Sequence, residues 1–143
     1  MALECRTYCL PKGADGSNRC EDAFAANPDA GRFAVADGAT GSAFADSWAR
    51  LLVDGFADSA DADLDPWDRW WIGAVRDSWQ EEVRFQLAMN FGDSEPPWYV
   101  ADGQREGASA TFLGLVVQAD EDHYRWRATA VGDTCLFHTR NGE

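Results

Sequence analysis

The chain has 143 residues, 45% of them apolar and 13% aromatic, which suits one packed domain and is too apolar for wholesale disorder. Twelve basic against 25 acidic residues leave a net charge of −13, which repels phosphate backbones and argues against a nucleic-acid binder of the basic-groove kind. No run approaches the roughly 18 consecutive apolar residues of a membrane helix, and the stretch from Met1 to Arg6 has no apolar signal core, so a soluble cytoplasmic protein without a membrane partner is expected.

Leu3 to Leu10 reads as a first strand, ended by Pro11 and a turn cluster of Gly13, Asp15, Gly16, Ser17 and Asn18. Glu21 to Ala26 reads as a second strand, and Asn27-Pro28-Asp29-Ala30-Gly31 as a tight turn. A third strand spans Arg32 to Ala36, with Phe33 and Val35 on one face and small alanines on the other. Asp37-Gly38-Ala39-Thr40-Gly41 is expected to stop it.

Ser42 to about Ser59 is predicted helical, because Phe44, Trp48, Leu51, Leu52 and Phe56 make one apolar stripe. An acidic linker with Asp61, Asp63 and Asp65 follows, and Asp65-Pro66 supplies an N-cap and a first-turn proline for a second helix. That helix carries Ile72, Val75, Trp79, Val83 and Leu87 on one face and stops before Pro96-Pro97. Ser94 to Gly107 is expected to be a long loop.

Ala108 to Val117 reads as a central strand and Tyr124 to Val131 as its neighbour, with Trp126 pointing inward; Thr134 to Thr139 resumes the β pattern. Asn141-Gly142 is a strong hairpin signal followed only by Glu143. The pattern therefore predicts a chain cut inside a larger fold, with an exposed strand edge and self-association through it.

The four cysteines lack C-x-x-C spacing and a secretory context, so four reduced, mostly buried thiols are expected. Neither His123 nor His138 stands near a cysteine at ligand spacing, which argues against zinc. Trp48, Trp79 and Trp126 read as core residues, Trp98-Tyr99 as the anchor of the long loop, and Arg125 and Arg127 as a solvated strand face. Asp61-x-Asp63-x-Asp65 begins like a calcium loop, but Pro66 occupies the required glycine and Ile72 the bidentate glutamate. The sequence has neither a glycine-rich phosphate loop with its lysine nor a G-x-S-x-G nucleophile elbow.

Acidic residues recur where strands start or stop: Glu21-Asp22, Asp37 before Gly38, and Asp133 after Gly132. An all-oxygen cluster of this kind suits a hard ion such as Mg²⁺ or Mn²⁺, and a glycine lets its own carbonyl approach a metal closely. The plainer reading of each pair alone is an ordinary Asp-Gly turn or a solvated strand end.

Taken together, Glu21-Asp22-Ala23-Phe24, the run from Phe33 to Gly41, Gly107-Ala108-Ser109-Ala110-Thr111 and Ala130-Val131-Gly132-Asp133-Thr134 resemble, in order and spacing, four motifs of the metal-dependent, protein phosphatase 2C-like family. The resemblance implies an α+β fold, a four-layer α-β-β-α sandwich, of which residues 1–143 would be the N-terminal portion of one domain. It implies a hydrolase of signalling phosphoproteins that cleaves phospho-Ser/Thr monoesters with water activated by two Mn²⁺ or Mg²⁺ ions, and no covalent enzyme intermediate. Asp37 matches the bridging aspartate, Gly38 the residue whose carbonyl binds one metal, and Glu21 the acid on that same metal. Asp22 matches the acid that orients metal-bound water, and Asp133 the acid of a third, more weakly held ion.

Two departures stand out. The family's phosphate-binding arginine falls at Ser17, so Arg19 is the residue that would replace it. The family's two further metal-binding aspartates belong to a C-terminal part that this sequence does not contain, and without them the second metal would lack most of its ligands. The alternative is a non-catalytic pseudophosphatase or truncated phosphoprotein-binding module on the same fold.

Overall fold

The hairpin that opens the sheet is dictated by its turn. In the computed structural model, which describes residues 3–9, 20–59, 69–121 and 123–139, strand β1 (Asp22–Asn27) returns antiparallel as β2 (Arg32–Gly38). The Asn27 side chain accepts a hydrogen bond from the Ala30 N–H at 3.1 Å, and the Gly31 N–H donates to the Pro28 carbonyl at 3.1 Å. Gly31 has φ +64°, which a side chain resists, and a Cβ there would fall 2.0 Å from the Val117 carbonyl oxygen. The turn thus rests on the far end of the next strand.

Helix α1 (Ala45–Ala57) follows β2, and α2 (Arg69–Phe91) follows α1. The helix is shorter than predicted, since Ser42 serves the preceding loop: its hydroxyl donates to the Ala39 carbonyl and accepts from the Ser109 N–H. Phe44, at φ 57°, sits at the N-cap and its carbonyl accepts the Trp79 indole N–H at 3.2 Å. The buried stripe of α1 includes Ala49, Leu52, Val53 and Phe56, and Trp71, Val75, Trp79 and Val83 bury the facing side of α2.

Helix α3 (Trp98–Glu106) replaces the expected loop; Pro97 caps it. None of its residues is buried, and Trp98 and Tyr99 are exposed, stacked edge-on to each other instead of anchoring the segment. A helix without a buried stripe leaves no periodic signal in the sequence, which is why the pattern missed it.

Strands β3 (Ala110–Ala119) and β4 (Tyr124–Val131) complete an antiparallel sheet in the order β1-β2-β3-β4. The described residues form an α+β fold, with this four-stranded sheet and three helices. Helix α1 packs across β1, β2 and β3, and α2 packs on α1. Ala34, Ala36, Phe112 and Val116 meet Leu52, Val53, Phe56, Trp71 and Val75 in one core, where Phe56 contacts Trp71 and Phe112 edge-on at ring separations of 6.2 and 5.5 Å. Arg32 is buried with its guanidinium over the Phe56 ring.

Several expectations are corrected. Strand β2 continues through Asp37 and Gly38 because Asp22, Thr111 and Ala110 pair with them. Residues 3–9 and 134–139 are irregular, not strands. Trp126 pairs with Val117 on the sheet face turned away from the helices and remains 49% exposed. The cysteines are not four reduced, mostly buried thiols: Cys5 and Cys135 are free and exposed, and Cys9 and Cys20 form a disulfide. The expected turn at 13–18, the acidic linker with its Asp65-Pro66 cap, and the Asn141-Gly142 turn lie outside the described residues. Among the described residues, no helix is long and apolar enough to cross a membrane.

Candidate functional site

The register of the first hairpin creates the site. Asp22 and Asp37 are direct cross-strand partners, and Asp37 is also the partner of Thr111 on β3. Residues directly opposite in antiparallel strands project to the same face, so both carboxylates and the threonine stand at one rim of the sheet. Thr111 also holds the segment after β4: the Thr134 hydroxyl donates to the Thr111 hydroxyl at 2.7 Å, and a Cβ on Gly132 would fall 2.8 Å from the Thr111 methyl. This contact carries Asp133 to the same rim.

Asp22, Asp37, Asp133, Thr111 and Thr134 line an open groove of about 540 Å³, whose floor includes Phe24 and Val35. Thr7, Tyr8 and Cys9 from the irregular N-terminal segment form another wall. Asp22 and Asp133 are exposed and Asp37 is half-buried.

Glu21 is not among the residues lining that groove. It precedes β1, where strand alternation turns it away from Asp22, and its carboxylate accepts the Thr40 hydroxyl at 2.7 Å. Its backbone carbonyl accepts the Gly38 N–H at 3.1 Å. Gly38 itself is buried, and its missing side chain has a packing reason: a Cβ there would stand 2.9 Å from both the Glu21 and the Ala45 carbonyl oxygens. Arg19 lies outside the described residues.

Three carboxylates and two hydroxyls form an all-oxygen donor set of the kind hard divalent cations take. Two carboxylates directly opposite each other repel, and a cation between them would relieve that repulsion. The donor chemistry therefore fits Mg²⁺ or Mn²⁺. The three carboxylates are nevertheless spread along the groove. Among the described residues, the tight group of potential ligand atoms, all within 4.8 Å of one another, is instead Cys9, Cys20 and Asp22. Sequence spacing hid that group, because ten residues separate the two cysteines and no motif joins them to the aspartate.

No protein family, curated protein or solved structure matches the chain.

Proposed function

We propose that the groove is the metal-binding part of a phosphomonoesterase site of the protein phosphatase 2C kind, in a hydrolase acting on phospho-Ser/Thr proteins. One observation carries the reading: Asp22 and Asp37, which the motif resemblance assigns to a metal site, stand opposite each other in register at one rim, beside Thr111 and Asp133. On this reading the present sheet with its helical layer is half of an α-β-β-α sandwich.

In that site Asp37 would hold Mn²⁺ or Mg²⁺ from the end of β2, and the Gly38 carbonyl and Glu21, which the resemblance assigns to the same ion, would be its further ligands. Two such ions, with a third more weakly bound at Asp133, would supply the chemistry of water activation and phosphoryl charge neutralisation. Asp22 would accept a hydrogen bond from the attacking water and orient it, and Arg19 would be the phosphate-binding cation. Thr111 and Thr134 hold Asp133 at the groove through their mutual hydrogen bond.

Hydrolysis of an aryl phosphate by the full chain with Mn²⁺ tests this, beside a chelated sample and Asp37→Asn. Turnover abolished in both controls supports the enzyme. Turnover indifferent to chelator and to the substitution overturns it. Saturable metal binding without turnover favours the second reading, a non-catalytic module that binds phosphoprotein; the absence of Glu21 from the groove lining is the observation on that side.

A further inference from the structure

We propose that Cys9, Cys20 and Asp22 form a zinc site when the two cysteines are reduced. Their sulfur atoms and a carboxylate oxygen of Asp22 all lie within 4.8 Å of one another. The ligand atoms of a tetrahedral zinc stand roughly 3.3–3.8 Å apart, given bond lengths of about 2.0–2.3 Å. Closed as a disulfide, the two sulfurs are nearer than this; once reduced they need only part to that spacing, with the Asp22 carboxylate closing on them.

The backbone spacing points the same way. The Cα atoms of Cys9 and Cys20 are 7.7 Å apart, beyond the roughly 4.4–6.8 Å usual for a disulfide. An ion between the sulfurs lengthens the bridge to two metal–sulfur bonds, about 4.6 Å along the path instead of about 2 Å. A wide pair of cysteines suits a shared ligand better than a direct bond.

Ligand chemistry selects the ion. Two thiolates and one carboxylate are soft enough to prefer zinc over Mg²⁺ or Mn²⁺. Three protein ligands leave a fourth position open for water, unlike the four protein ligands of closed structural zinc sites. Cys9 and Asp22 are exposed and Cys20, two residues before β1, is half-buried, so the ion has an entry path from solvent.

The site joins two parts of the molecule that the sheet does not connect. Cys9 belongs to the irregular segment whose Thr7 and Tyr8 also wall the acidic groove. Zinc would tie that segment to β1 and draw Asp22 toward the sulfurs, away from Asp37. Zinc binding does not depend on the phosphatase reading, because it is read without turnover.

The test uses the full chain, metal-free and reduced with a phosphine, titrated with Zn²⁺ alone against a chromophoric chelator and with Co²⁺ as a spectroscopic probe. One zinc per chain and a thiolate-to-cobalt charge-transfer band are expected. Cys9→Ser and Cys20→Ser should each abolish the band, and the sample with the Cys9–Cys20 disulfide closed should lack it. Loss of a mere supporting partner already weakens metal sites about 10–100-fold, so Asp22→Asn should weaken zinc at least about tenfold. Cys5→Ser with Cys135→Ser, and Asp37→Asn, should leave the band in place, with far-UV circular dichroism confirming each fold. A reduced chain that takes up no zinc overturns the site. So does a band that survives Cys9→Ser, or zinc affinity unchanged by Asp22→Asn.

Discussion

Gly38 shows how one residue can carry two explanations. Read from sequence, its missing side chain frees a carbonyl for a metal; in the fold, that space is taken by the carbonyl oxygens of Glu21 and Ala45, each 2.9 Å from where a Cβ would stand. Those neighbours are backbone and cannot rotate away. Gly38→Ala should therefore destabilise the chain by about 1–3 kcal/mol, the usual cost of forcing atoms into a filled space, measurable as a lowered urea midpoint. Stability unchanged by the substitution would leave the metal as the reason for the glycine. Asp22 and Asp37 were singled out by residue type and position at strand ends, and the register of β1 and β2 sets them opposite each other.

At the scale of elements, the joint between α1 and α2 depends on one carboxylate. Glu82 accepts hydrogen bonds from Ser47 at 2.9 Å and from Gln86 at 3.1 Å, and forms an ion pair and hydrogen bond with Arg50. Partial burial disfavours its charge, but the Arg50 and Ser47 hydrogen bonds, the Arg50 charge and the Gln86 hydrogen bond outweigh that, and its pKa is lowered. A carboxyl group whose pKa is lower folded than unfolded adds stability above its unfolded value, and that stability is lost as acid protonates the folded form. Stability should fall as pH drops below about 4.3, the ordinary range of glutamate. Glu82→Gln should cost on the order of 1 kcal/mol at neutral pH and flatten that acid limb, as followed by thermal unfolding across pH. A variant with the same acid limb as the native chain would exclude Glu82 as its source.

At the scale of the whole molecule, the helices among the described residues cover one face of the sheet. Phe24 and Val35, each 37% exposed, and Trp126, 49% exposed, lie on the other face, and β1 and β4 are its edge strands. Open edges beside apolar surface favour pairing between chains. Light scattering of the isolated chain should show association that rises with concentration, and a monomer throughout the range would contradict it. The alternating and striped segments, β1 to β4 and the two long helices, were legible because burial repeats at the period of their backbone. The rest was not. Helix α3 buries no stripe, the segment 3–9 has alternation but no neighbouring strand, and the parity that turns Trp126 outward depends on its pairing with Val117. The Cys9, Cys20 and Asp22 group arises only when the N-terminal segment meets β1.

Of all these statements, metal binding at the paired aspartates is the one on which the functional account depends. Titration of Mn²⁺ into the full chain, followed by paramagnetic resonance of the free ion, tests it directly in native, Asp22→Asn and Asp37→Asn proteins. Saturable binding in the native chain, weakened at least about tenfold by each substitution, is the predicted result. No saturable binding, or equal affinity with Asp37 neutralised, would contradict the account and leave the four motifs as turns and strand ends.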